Sequence, residues 1–131
     1  ISADAPWTDM SYKLVEYQDR PVLKLSTDKA SWPGKKQIFR FRDSKGELQR
    51  DIIGLRDEKF SGEMLLKEFM RDGRVREAYP TLTEIRGVFE AEFGSLPESL
   101  KAIREPGVYP VEFSPGLRAL RDEITEKIAR S

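Results

Sequence analysis

The residues that could do chemistry are concentrated in one stretch of the chain, from Lys29 to Arg42. It holds five basic residues and no acidic one, with Trp32, Phe39 and Phe41 lying between them. Cations interleaved with aromatic rings can bind single-stranded nucleic acid by charge and stacking, or hold a phosphorylated small molecule. The same alternation favours a solvated strand face, because the phenylalanines and the arginines fall on opposite sides of a strand. Anion binding and nucleic-acid binding stay open as alternatives.

Few other residues in the sequence are suited to catalysis. It contains no histidine and no cysteine, which excludes Ser–His and Cys–His catalysis and cysteine-held metals. The paired carboxylates Asp57–Glu58 and Asp122–Glu123 point apart on a strand or a helix, so we interpret them as solvated surface. No glycine spacing typical of a phosphate-binding loop occurs. We therefore predict no catalytic residue, no metal site and no cofactor held by this chain.

Length and composition indicate one globular domain. The 131 residues are 38% hydrophobic and 35% charged, with a formal net charge of zero. No apolar run reaches the length of a membrane span, and the sequence from Ile1 lacks the basic start and apolar core of a signal peptide. We expect residues 1–131 to form a single α+β unit in the cytoplasm, without a membrane partner.

The first part of the chain, residues 10–76, is predicted to be rich in strands. Alternation of apolar and polar residues predicts antiparallel hairpins. A first hairpin joins residues 12–17 and 22–26 through a turn at residues 18–21. A second joins Ile38–Arg42 to Leu48–Leu55 through Asp43–Gly46. A third, from Met64–Met70 to Val75, is closed by Asp72 and Gly73, a pair that favours two-residue hairpin turns.

The second part, residues 81–130, is predicted to contain about three helices. Thr81 and Glu84 form a capping-box pattern ahead of an apolar stripe that ends at Gly94. A short second helix follows, and Ser114 with Pro115 starts the last one. The residues predicted to face inward are those of the second helix, Leu96, Leu100 and Ile103. The apolar stripes of the other two helices are Leu82, Ile85, Phe89 and Phe93 in the first, and Leu117, Leu120, Ile124 and Ile128 in the last.

Five segments, taken in order, resemble the C-terminal region of nicotinate phosphoribosyltransferase. They read "YKLVEYQDRPVLKLS", "WPGKKQIFRF", "GEMLLKEFMRDGR" and "YPVEFSPGLRALRDEI", preceded by "DAP". The similarity extends from about Asp4 to Ile124, which is nearly the whole chain. Each segment alone is weakly specific, but their common order makes coincidence a poor explanation.

The resemblance implies the C-terminal part of a larger α/β phosphoribosyltransferase of NAD biosynthesis. That family, with transferase and ligase chemistry, joins nicotinate to 5-phosphoribosyl 1-diphosphate. The products are nicotinate mononucleotide and diphosphate, with ATP hydrolysis coupled through a phosphorylated histidine and with Mg²⁺ assisting. The parent enzyme is expected to be a homodimer, and the upstream catalytic domains of the same polypeptide are the expected partners of this chain.

The resemblance does not bring a catalytic site with it. The family's phosphorylated histidine has no counterpart in a chain without histidine, so we expect the chain alone to be inactive. Lys13, Lys24, Lys35 and Lys36 match family-like positions and are the candidates for substrate contact. The alternative is a stand-alone anion- or nucleic-acid-binding domain that uses the stretch from Lys29 to Arg42.

Overall fold

The computed structural model describes residues 12–26 and 30–130, and its backbone divides into two compact units. The larger unit is Lys36–Arg118, and the smaller one lies within residues 1–35 and 119–131. The described residues form a mixed α+β architecture with antiparallel hairpins and three helices, which confirms the predicted fold class. The prediction of a single domain stays a prediction.

The larger unit is built on a four-stranded sheet. Its strands are β3 (Lys36–Arg42), β4 (Leu48–Leu55), β5 (Glu63–Met64) and β8 (Val111–Phe113), in the order β5-β3-β4-β8. β3 pairs antiparallel with β4 and with β5, whereas β8 lies parallel to β4. The predicted hairpin of β3 and β4 is confirmed. The parallel pairing was not foreseen, because β4 and β8 are joined by a long connection that no local pattern reveals.

Apolar side chains from β3 and β4 form the core of this sheet. Phe39 is 1% exposed, and Leu48 and Ile52 are also buried. The ring of Phe60 packs on Phe39 with 4.9 Å between centroids. Gly54 lies against the same two rings, since a Cβ there would lie 3.3 Å from the Phe39 ring and 3.4 Å from the Phe60 ring. The expectation that the phenylalanines of the basic stretch point inward is therefore correct for Phe39.

The third predicted hairpin and two helices lie between β5 and β8 along the chain. The hairpin pairs β6 (Met70–Arg71) with β7 (Arg74–Val75), and its turn residues Asp72 and Gly73 have φ of 51° and 72°. These left-handed values confirm the predicted two-residue turn. Helix α1 spans Leu82–Gly94 and helix α2 spans Glu98–Lys101.

Helix α1 begins where the sequence predicts it. The Thr81 hydroxyl accepts a hydrogen bond from the Glu84 backbone N–H at 3.3 Å, and the Thr81 backbone N–H donates to the Glu84 carboxylate at 2.7 Å. This reciprocal pair is the capping box expected from the sequence.

The predicted apolar stripe of α1, made by Leu82, Ile85, Phe89 and Phe93, is exposed, and α1 contacts the sheet through ion pairs made by Glu92. One burial prediction, in the segment of α2, is wrong. Ile103 is 99% exposed rather than inward. Helix α2 ends at Lys101, and the backbone at Ala102 is extended. Ile103 therefore does not follow the helical face that Leu100 occupies.

The smaller unit holds the first hairpin and most of the last helix. β1 (Glu16–Tyr17) and β2 (Arg20–Pro21) pair antiparallel across Gln18 and Asp19, which both have positive φ. The hairpin is confirmed, but its strands are shorter than predicted and its turn has two residues rather than four. Helix α3 (Pro115–Ala129) begins in the larger unit with Pro115 in its first turn, as the sequence predicts. Within the described residues, no helix has the length and apolarity needed to cross a membrane.

Candidate functional site

A buried ion pair on the sheet is formed by one arginine of the basic stretch. Arg40 and Asp51 lie opposite each other in the register of β3 and β4. The guanidinium donates through Nε and Nη2 to the two carboxylate oxygens of Asp51, both at 3.0 Å. The Tyr109 hydroxyl donates to the same carboxylate, also at 3.0 Å. The Asp51 side chain is only 10% exposed, and these donors compensate its charge.

The same arginine ties helix α1 to the sheet. Arg40 Nη1 donates to Glu92 Oε2 at 3.0 Å, and Arg42 Nη2 donates to Glu92 Oε1 at 2.7 Å. Arg42 also donates to the Ser95 hydroxyl at 3.0 Å, just beyond the helix end. Both arginines therefore lie between carboxylates of the protein itself.

The electrostatics of this network keep Arg40 charged and Tyr109 neutral near neutral pH. Hydrogen bonding to Asp51 raises the pKa of Arg40, so the guanidinium stays charged. Burial, followed by the hydrogen bond to Asp51, raises the pKa of Tyr109 from 10.0 to about 12. Tyr109 is thus a neutral hydrogen-bond donor near neutral pH, and neither group is prepared to exchange a proton there.

This geometry corrects the interpretation of Arg40 and Arg42 as a solvated face. Their side chains are 22% and 27% exposed, and each is paired with carboxylates. A cation that already has carboxylate partners offers little to a phosphate. The network positions the sheet and the helix rather than binding an anion.

The lysines proposed for substrate contact do not form one cluster. Lys13 and Lys24 line the same groove of the smaller unit, a space of about 460 Å³. Lys35 pairs with Glu16 at 2.5 Å. Lys36 lies in β3 of the larger unit, where burial lowers its pKa. Lys29 lies outside the described residues.

Aromatic and apolar side chains complete the groove around Lys13 and Lys24. Tyr12 and Tyr17 are both exposed, and Ser31 accepts a hydrogen bond from the Lys24 backbone N–H at 2.9 Å. Trp32, another member of the basic stretch, is covered by the guanidinium of Arg121 at 4.5 Å from its ring centroid. Trp32 is thus engaged within the chain, whereas two lysines and two tyrosines line the groove.

A carboxylate that sequence reasoning assigned to the surface has a defined structural role. Glu58 Oε2 accepts hydrogen bonds from the Leu55 backbone N–H and from the Ser114 hydroxyl, both at 2.6 Å. The surface interpretation of Glu58 is therefore wrong, although that of Asp122, which is exposed and pairs with Arg121, is correct. The only local signal was its position just after a strand, which does not indicate a partner 56 residues away.

The described residues contain no group of three or more acidic side chains placed to hold a metal ion. The titratable groups that do meet, at Asp51 and at Glu58, are joined to structural donors. The geometry of these residues supports folding and positioning, because the Ser114 hydroxyl that donates to Glu58 is fully buried and caps helix α3.

Comparison with known proteins identifies the kind of domain. Residues 58–121 match the family model described as nicotinate phosphoribosyltransferase C-terminal domain. A curated nicotinate phosphoribosyltransferase, pncB2 of Mycobacterium tuberculosis, is 35% identical over 132 residues, covering 99% of this chain. The mouse nicotinate phosphoribosyltransferase is 30% identical over 141 residues, covering 88% of the chain.

The solved structures give the same result for the fold. The crystal structure of human nicotinic acid phosphoribosyltransferase superposes with a TM-score of 0.77 at 25% identity over 88% of this chain. Sequence and fold thus define a C-terminal domain of a phosphoribosyltransferase. The chain matches the C-terminal region of nicotinate phosphoribosyltransferases in sequence and in fold, which confirms the resemblance. It spans about 27% of the length of the curated relatives that it matches.

Proposed function

We propose that this chain is the non-catalytic C-terminal part of an enzyme that makes nicotinate mononucleotide. The whole enzyme would join nicotinate to 5-phosphoribosyl 1-diphosphate and couple the reaction to ATP hydrolysis with Mg²⁺. It would act as a homodimer in the cytoplasm. The observation that carries the proposal is the alignment of 99% of this chain with only 27% of a nicotinate phosphoribosyltransferase.

The chemistry of the chain supports its role as a positioning part. It has no histidine to be phosphorylated and no cysteine. The charges of Arg40 and Asp51 join β3 and β4. The residues that act on the substrates would then come from the upstream part of the same polypeptide.

The test compares this chain with the polypeptide that carries it. An immunoblot of source cells, with an antibody against this chain, should show a band much larger than 15.1 kDa. The purified larger protein should form nicotinate mononucleotide and hydrolyse ATP, and omission of Mg²⁺ should abolish both. The 131-residue chain should form none under the same conditions. A native product of 15.1 kDa, or product formation by the chain alone, would contradict the proposal.

Among the four lysines, we propose Lys13 and Lys24 as those positioned to contact an anionic substrate. The supporting observation is that both line one groove, whereas Lys35 is paired with Glu16. In the whole enzyme, Lys13→Ala with Lys24→Ala should raise KM for 5-phosphoribosyl 1-diphosphate or ATP. Lys45→Ala, which removes an exposed lysine of the β3–β4 turn, is the matched control. An unchanged KM in the double variant would contradict the proposal that these two lysines contact an anionic substrate.

A further inference from the structure

Helix α1 carries an apolar stripe that is exposed along the length of the helix. The exposed fractions are 85% for Leu82, 50% for Ile85, 64% for Phe89 and 48% for Phe93. Their spacing of three, four and four residues places them on one side of the helix. A contiguous apolar face of this kind marks an interaction surface on a soluble protein.

The exposure is not a consequence of a poorly formed helix. The capping box at Thr81 and Glu84 provides hydrogen-bond partners for backbone N–H groups at the start of the helix. At its end, the Ser95 backbone N–H donates to the Ala91 carbonyl oxygen. Glu92 fixes the helix to the sheet through Arg40 and Arg42. The stripe is therefore held in place, with Phe89 and Phe93 stacked at 5.8 Å between ring centroids.

The charge around the stripe favours an apolar partner. Arg86 and Glu90 lie beside the stripe on the same helix and form an ion pair with 2.8 Å between the charged groups. This pair carries no net charge, so it offers no attraction to a phosphate backbone or an acidic lipid surface. The free energy of association would come from the burial of the four apolar side chains.

We propose that the α1 stripe packs on the upstream part of the same nicotinate phosphoribosyltransferase polypeptide. This inference rests on the proposed function, in which this chain is one part of a longer protein. The size of the stripe distinguishes that partner from a second copy of the chain. Four side chains offer only a few hundred Å², whereas separate partners need roughly 800 Å² each. A covalently attached domain gains a high effective concentration, so a small apolar contact is sufficient.

The experiment measures how accessible the stripe is in the whole enzyme. Phe89→Cys places a thiol on the stripe, and Ala91→Cys places one on the opposite side of the same helix. Because the chain has no cysteine of its own, each thiol is identified after maleimide labelling by mass spectrometry of its peptide. In the 131-residue chain, both variants should react at similar rates. In the whole enzyme, labelling of Phe89→Cys should be slower by about tenfold or more, with Ala91→Cys unchanged.

The controls separate this inference from the proposed function. Transferase activity and ATP hydrolysis of the same preparation report on the proposed function, whereas the labelling ratio reports on the stripe. An active enzyme in which Phe89→Cys reacts as fast as Ala91→Cys would overturn the docking inference alone. Protection of Phe89→Cys that rises with concentration in the 131-residue chain would assign the stripe to a second copy instead. A native product of chain size would overturn both.

Discussion

The hydroxyl of Ser114 donates to the carboxylate of Glu58 at 2.6 Å across 56 residues of sequence. The hydroxyl oxygen of Ser114 also accepts a hydrogen bond from the Leu117 backbone N–H at 3.0 Å, and Ser114 is fully buried. Glu58 also accepts from the Leu55 backbone N–H at the end of β4. One serine thus caps helix α3 and connects it to the segment that leaves the sheet. Both residues lie within the part of the chain that matches the family model.

Replacement of Ser114 should therefore be costly. Ser114→Ala removes the helix cap and leaves the Glu58 carboxylate with the Leu55 N–H alone. We expect the free energy of unfolding to fall by about 1–3 kcal/mol. Urea unfolding of the 131-residue chain measures it. Ser44→Ala, in the exposed turn between β3 and β4, is the control and should change stability little. Equal stability of the two variants would show that the cap and the Glu58 contact contribute nothing measurable.

The Tyr109–Asp51 hydrogen bond should make stability depend on alkaline pH. The folded pKa of Tyr109 is raised from 10.0 to about 12, so the bond contributes fully below about pH 10 and is lost as pH rises through 12. Unfolding followed across this window should show a steeper loss of stability in the natural chain than in Tyr109→Phe. Tyr79→Phe removes an exposed phenol and should follow the natural chain. Parallel curves for all three proteins would contradict the assignment.

Local chemistry explains which parts of the fold could be predicted from the sequence. The Thr81–Glu84 capping box and the Asp72–Gly73 turn depend on neighbouring residues, and both are present in the structure. The hydrogen bonds of Asp51 and Glu58 depend on partners that are distant in sequence, and no residue pattern specifies those. The hydrophobic period of α1 was visible as well. The spacing of apolar residues shows which side of a helix is apolar, but it does not show whether another part of the chain covers that side.

Two glycines should respond in opposite directions to the same substitution. Gly73 has φ of 72°, and neither it nor Gly87 in α1 has an atom within 4 Å of an added Cβ. The two sites therefore differ in backbone conformation and not in the space around an added Cβ. Gly73→Ala should lower the free energy of unfolding by roughly 1 kcal/mol, because alanine is strained in the left-handed region. Gly87→Ala should raise it by roughly 0.5–1 kcal/mol, because alanine favours a helix. Thermal and urea unfolding of both variants test the signs, and two shifts in the same direction would be inconsistent with this account.

The basic stretch should not bind single-stranded nucleic acid. Arg40 and Arg42 are occupied by Asp51 and Glu92, and Lys35 is paired with Glu16, so few of its cations are left for a phosphate backbone. Fluorescence anisotropy with a labelled single strand at low salt should show no saturable binding by the 131-residue chain. Asp51→Asn with Glu92→Gln, which removes two of the paired carboxylates, is the informative variant and should gain weak, salt-sensitive binding. Salt-dependent binding by the natural chain, lost when Lys35, Lys36, Arg40 and Arg42 are replaced, would instead support the stand-alone nucleic-acid-binding domain. The paired carboxylates are thus what separates a structural arginine cluster from a binding one in this fold.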